Sequence, residues 1–150
     1  MTIEQTIKMI KDTRNVPDEL LDTELMKSFE LEKMYDKKMG NLSGGTTQKV
    51  SAVLAFMFNP KIIILDEPTA GLDPLASEIL KNKIVQEKNK GKLIIITSHL
   101  LSELDDMISE IVFMNEGKII VQQSVTDLMS ERNTEKISES IISILKEMKN

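Results

Sequence analysis

The chain has 150 residues, 41% of them hydrophobic, which is enough for one ordinary domain with a sizeable core and argues against a second. Its formal charge of -5 is the balance of 19 Lys and Arg against 24 Asp and Glu scattered along the whole chain, so no basic stripe for nucleic acid is present and a solvated, mildly acidic surface is expected. With no cysteine there is no disulfide framework and no thiolate metal site, a composition that suits a reducing cytoplasm, and 1 histidine remains for chemistry.

The polar start "MTIEQTIKMIKD" does not resemble a signal peptide. Thr2 with Gln5 forms a capping box, and Ile3, Ile7 and Ile10 follow at helical spacing, so a first helix is expected. Pro17 stands where a second helix would begin, with Leu20, Leu21, Leu25 and Phe29 as its apolar face. Ser43, Gly44 and Gly45 open a third, in which Val50, Val53, Leu54 and Met57 form the apolar face and Asn59 and Pro60 provide the stop. Its nearly apolar run at 50 to 58 is far short of the ~18 to 20 residues that span a bilayer. Service to a membrane would therefore come from the side.

Two β-branched apolar runs follow, "KIIIL" at 61 to 65 and "KLIIIT" at 92 to 97, and their lack of alternation predicts parallel strands buried on both faces. Between them Pro74 to about Asn89 carries Leu75, Ile79, Leu80, Ile84 and Val85 at helical spacing, with Gly91 as the stop. The three segments read as one βαβ unit. Its crossover brings both strand C-terminal ends to one edge of the sheet, where Asp66, Glu67 and His99 are expected to converge. A short helix is expected from about Leu100 to Met107. After it, "EIVFMNEGKIIVQQ" reads as a hairpin turning at Asn115 to Gly117, and Ile137, Ile141, Ile144 and Met148 mark a closing helix.

A carboxylate directly after a hydrophobic strand is rigidly held, and in phosphoryl-transfer sites such an aspartate holds Mg²⁺, the role open to Asp66. Glu67 is suited to orient or deprotonate an attacking water, and His99 to contact a γ-phosphate. Acidic residues also end strands at ordinary turns, and a lone histidine is more often structural. The glycines at 44 and 45 leave backbone N–H groups at a helix start, where the dipole and the unpaired donors favour an anion such as phosphate. The plainer alternative is a glycine turn with Ser43 as N-cap.

Taken together, "LSGGTTQ" at 42 to 48, "IIILDEP" at 62 to 68, "AGLD" at 70 to 73 and "SH" at 98 to 99 resemble the ATP-binding subunits of ABC transporters over about residues 40 to 122. The resemblance implies an α/β fold: a P-loop NTPase-like fragment with a helical subdomain (1 to 58, holding the signature motif), a parallel βαβ core (59 to 122, with the Walker B strand, D-loop and switch histidine), and a helical tail (123 to 150). It implies ATP and Mg²⁺ as cofactors. It further implies nucleotide contacts from Ser43, Gly44, Gly45 and Gln48 of the signature and Asp73 of the D-loop, catalysis by Glu67 and His99, and Asp66 on Mg²⁺ through water. The implied partners are transmembrane permease subunits and a second nucleotide-binding subunit, with the chain peripheral on the cytoplasmic face of the cell membrane. More narrowly, residues 43 to 74 and 96 to 106 are similar to the ATPase subunits of copper-processing transporters that serve nitrous oxide reductase maturation, although the methionines are too scattered for a copper site. Thr47 departs from the family, where a basic residue is common.

A phosphate-cradling G-x-x-x-x-G-K-[ST] loop is absent from these 150 residues: Gly91-Lys92 and Gly117-Lys118 are each followed by an apolar residue, with Gln86 and Val112 where the earlier glycine would stand. In the family that Walker A loop precedes the helical subdomain, so the chain is expected to begin just after it and to need an N-terminal half supplied elsewhere. Two other classes stay open, an ABC ATPase of chromosome maintenance or translation and a non-hydrolytic interaction module.

Overall fold

The structure, a computed structural model, describes residues 1–148. It divides into two compact units, Met1–Ser98 and His99–Asn150.

In the first unit, helix α1 (Ile3–Arg14) starts on the expected capping box: Thr2 Oγ1 accepts the Gln5 amide at 3.2 Å and the Gln5 side chain accepts the Thr2 amide at 2.9 Å. Ile3 and Ile7 are buried and Ile10 is half-buried. The next segment departs from the expected helix. Pro17 leads only into a 3-10 turn (Asp18–Leu20) that leaves Leu20 exposed, and α2 is short (Glu24–Ser28). The cause lies at Asp22, whose amide donates to the Met57 carbonyl at 2.8 Å while its carboxylate accepts the Glu24 amide at 3.1 Å, so residues 21 to 23 are drawn out of helical continuation. Leu25 and Phe29 still bury as the spacing required.

Helix α3 (Gly44–Phe56) buries Val50, Val53 and Phe56, and the left-handed Asn59 ahead of Pro60 ends the turn beyond it. Strands β1 (Ile62–Asp66) and β2 (Leu93–Thr97) pair in parallel, Ile62 opposite Leu93 through Asp66 opposite Thr97, joined by α4 (Pro74–Asn89). The βαβ unit thus stands as expected, but burial on both faces does not. Ile63 and Leu65 are buried on one face, whereas Ile62, Ile64, Leu93 and Ile95 on the other remain 46–69% exposed. A parallel sheet is normally covered on both sides, and this pair has helical cover on one.

Helix α4 carries an ion network inside the unit. Lys83 and Glu87 are almost wholly buried; Lys83 Nζ reaches Asp22 Oδ2 at 2.6 Å, Glu24 Oε2 at 2.7 Å and Glu87 Oε1 at 3.1 Å, and Glu87 also pairs with Lys90 (2.7 Å) and Lys92. Burial opposes the charge on Lys83, and its three carboxylate acceptors outweigh that, raising it above the ordinary lysine value. Burial likewise opposes charge on Glu87, and hydrogen bonds from Lys90, Lys92 and Lys83 outweigh it, holding the carboxyl at about 2.

The second unit replaces the expected helix after residue 100 with a 3-10 turn (Leu101–Glu103) and further turns to Met107. The hairpin forms as expected from β3 (Glu110–Asn115) and β4 (Lys118–Ser124), with Glu116 and Gly117 both at positive φ in a two-residue loop. An unanticipated helix α5 (Val125–Arg132) follows, capped by Ser124 Oγ accepting the Asp127 amide at 3.0 Å. In α6 (Ile137–Glu147) Ile137, Ile141 and Ile144 are buried, but Met148 lies past the helix and is exposed. Asp105 Oδ1 accepts the Ile137 amide at 2.8 Å, fixing the start of α6.

Candidate active site

The parallel register puts Asp66 and Thr97 side by side at the strand ends, and the Thr97 hydroxyl donates to Asp66 Oδ1. The Asp66 carboxylate is exposed and fixed in direction, with its other oxygen outside that bond. Among the described residues no three His, Asp or Glu side chains gather into a metal cage. A single exposed carboxylate held in direction, as at Asp66, is suited to the kind of Mg²⁺ site in which one carboxylate acts with phosphate oxygens and water.

Glu67 directly follows, its amide donating to the Thr97 carbonyl at 3.0 Å and its backbone at φ 45°, in the left-handed region. From there the chain turns through Thr69 to Leu72, with Ala70 N–H bonded to Glu67 O (3.1 Å) and Leu72 N–H to Thr69 O (3.1 Å), before Asp73 caps α4 by accepting the Ala76 amide at 2.9 Å. This loop lies against the start of α3. Gln48 Nε2 donates to the carbonyls of Glu67 (3.2 Å) and Pro68 (3.0 Å), and Lys49 Nζ pairs with Asp73 Oδ2 at 2.8 Å. The hydrogen bond from Lys49, with that from the Ala76 amide, lowers the Asp73 carboxyl below its ordinary value.

The two glycines differ in their surroundings. A Cβ on Gly44 would meet nothing within 4 Å, while one on Gly45 would stand 2.5 Å from the carbonyl oxygen of Gly71, itself at φ +74°. Gly45 is thus required by the chain's own loop, whatever else it binds. Ser43 is the N-cap, its Oγ accepting the Thr46 amide at 3.2 Å, and Ser43 and Gly44 are exposed. Exposed first-turn amides at the positive end of a 13-residue helix are suited to an anion.

The structure therefore brings together Asp66, Glu67, Gly45, Gln48 and Asp73, with Ser43 and Gly44 at the free end of the same helix. His99 follows Thr97 by two residues and is the first residue of the second unit. Sequence reasoning missed Thr97 as the support of Asp66, Lys49 as the partner of Asp73, and the inward turn of Gln48; only the in-register strand ends offered a signal, and only for Thr97.

Comparison with known proteins finds similarity to ABC transporter ATP-binding proteins. A family model, "ABC transporter", matches residues 2–70. The energy-coupling factor transporter ATP-binding protein EcfA2 of Clostridium perfringens (strain 13 / Type A) is 32% identical over 139 residues, 89% of this chain and 49% of that protein. An ABC transporter ATP-binding protein of Bacillus subtilis (strain 168), YhaQ, is 31% identical over 103 residues, 69% of this chain and 35% of that one. A solved structure described as the ATP-binding subunit of an ABC transporter superposes with a TM-score of 0.85 at 24% identity, covering 97% of this chain and 62% of that one, a likeness of fold. The chain spans half or less of those two curated relatives, and over that share it is similar to the ATP-binding proteins of ABC transporters.

Proposed function

We propose that the chain is the signature and Walker B portion of an ATP-hydrolysing subunit that powers an ABC transporter, acting with a polypeptide segment that carries the Walker A loop, a second nucleotide-binding subunit and membrane permease subunits. The observation that carries this reading is the junction of α3 with the loop from Glu67 to Asp73, which holds a helix N-terminus and two strand-end carboxylates in one body. In it, Asp66 holds Mg²⁺, supported by Thr97, and Mg²⁺ neutralises charge on the nucleotide phosphates. Glu67 orients and activates water, His99 meets the γ-phosphate, and the first-turn amides at Ser43 to Gly45 bind phosphate of a nucleotide held mainly by the partner subunit. Nucleotide contacts from Gln48 and Asp73 are then indirect, through the loop they hold. Among the described residues no helix is long and apolar enough to cross a membrane, which is compatible with a peripheral subunit on the cytoplasmic face.

Relatives that share the match include a phospholipid-transporting ATPase of Rattus norvegicus and a Nod factor export ATP-binding protein of Burkholderia thailandensis, named for different cargoes. The shared function is the ATP-binding one. The narrower copper-processing reading rests on residues 43 to 74 and 96 to 106 alone.

The test supplies the N-terminal half of a relative's ATP-binding domain in trans and follows nucleotide binding and phosphate release together. The chain alone should bind Mg·ATP weakly, because the amide cradle and lysine of a Walker A loop are not among its residues. The reconstituted pair should hydrolyse ATP, and Glu67→Gln should retain binding while turnover falls by about 10² to 10⁴-fold. Asp66→Asn should weaken the Mg²⁺ dependence, and His99→Ala should cut turnover more than binding. Undiminished hydrolysis by Glu67→Gln would remove the assigned role of that carboxylate, and binding without any hydrolysis by the parent pair would favour a non-hydrolytic interaction module.

A further inference from the structure

Glu67 holds an uncommon backbone. Its φ of 45° is in the left-handed region, which side-chain-bearing residues avoid, and it precedes Pro68, whose ring steers the preceding residue to extended conformations. Two constraints thus oppose the shape it adopts, and such a shape persists only where the surroundings over-determine it. Its amide is tied to β2 through the Thr97 carbonyl. Its carbonyl accepts the Ala70 amide at 3.1 Å, and Gln48 adds two hydrogen bonds on the carbonyl side, to Glu67 O and to Pro68 O. Gln48 belongs to α3, which is otherwise anchored by its buried Val50, Val53 and Phe56, so the carboxamide comes from a firm base.

We infer that Gln48 is a positioning residue that holds Glu67 in its left-handed backbone by clamping the carbonyls of Glu67 and Pro68, and thereby sets where the Glu67 carboxylate points. The inference rests on the ATPase reading for its catalytic consequence and stands on geometry for the clamp itself. It differs from a nucleotide-contact role, since the Gln48 side-chain amide is engaged by the chain's own loop. Lys49, next along α3, closes the far end of the same loop through Asp73, 2.8 Å away. Gly45 allows the close approach that both contacts need.

The experiment is native-state amide exchange on the 150-residue chain, read residue by residue. Gln48→Leu keeps a side chain of similar size without the carboxamide and Gln48→Glu keeps the shape, and both remove the N–H donors. In each, exchange at Ala70 should rise about tenfold or more, while Val53 in α3 and Ile84 in α4 keep the parent rate. Adding Glu67→Gly to Gln48→Leu should bring Ala70 back toward the parent rate, because glycine adopts positive φ without strain. Unchanged exchange at Ala70, an equal rise at Val53 and Ile84, or no recovery with Glu67→Gly would each overturn the clamp. In the reconstituted ATPase the Gln48→Leu turnover should fall about tenfold or more with the KM for ATP unchanged; unaltered turnover beside a loosened loop would overturn the catalytic consequence. If the reconstituted parent never hydrolyses ATP, the proposed function fails while the exchange measurement still decides the clamp.

Discussion

Alanine at Gly44 and alanine at Gly45 should have opposite effects, although the two residues are adjacent in one helical turn. At Gly45 the new Cβ would stand 2.5 Å from the Gly71 carbonyl oxygen, and ordinary contact begins at 3.4 Å, so the two must separate by about 0.9 Å. The obstacle is backbone, not the tip of a flexible side chain. Overpacking of this kind costs about 1 to 3 kcal/mol. At Gly44 the Cβ meets nothing within 4 Å, and replacing glycine in a first helical turn gains about 0.4 to 1 kcal/mol by restricting the unfolded chain. The two variants should therefore differ by about 1.5 to 4 kcal/mol, a gap of several degrees in the melting midpoint. Urea titrations of both, fitted with a common slope, measure it. Equal stability of the two variants, or a Gly45→Ala protein as stable as the parent, would refute the account of Gly45 as a packing requirement of the loop.

Lys83→Met should cost about 2 to 3 kcal/mol in a urea titration, below the ~3 to 5 of a fully buried broken pair, because Asp22 and Glu24 are partly solvated and Glu87 retains Lys90 and Lys92. Acid should destabilise the first unit through Glu87: its folded pKa of about 2 lies below the ordinary 4.5, so its contribution is complete above 4.5 and is lost as pH falls from there toward 2, and Glu87→Gln should flatten that part of the pH–stability curve. The chain alone should associate in sedimentation runs as concentration rises, and Ile64→Lys with Ile95→Lys, which charge the open face of the strand pair, should return it to monomer.

What the sequence made legible was local. Pro74 and Gly91 bracket α4 to the residue at its start, and the β-branched runs and the Glu116-Gly117 pair mark the strands and the hairpin turn because each needs only near neighbours to act. The site was legible as residue types at strand and helix ends. Its joinery was not, since Gln48 reaches carbonyls 19 and 20 residues away and a backbone acceptor leaves no mark on the sequence. Lys83 was hidden for a related reason: a lysine on an amphipathic helix reads as solvated until its acidic partners, about 60 residues earlier, are seen beside it. The failed second helix after Pro17 shows the reverse, a fair local pattern broken by one long-range bond from Asp22 to Met57. The open strand face misled in its own way, for an Ile-rich run states what a strand is built to meet, not whether that neighbour is among the described residues.

That open face also bears on how the protein is made. Strands β1 and β2 and the helix between them lie within residues 62 to 97, so the pair can form without any segment outside that stretch. It then waits with Ile62, Ile64, Leu93 and Ile95 uncovered. Loss by self-association grows with the square of the concentration of molecules whose strand face is open. How fast that face is covered, more than the stability of the strand pair itself, then sets how much of this segment escapes association.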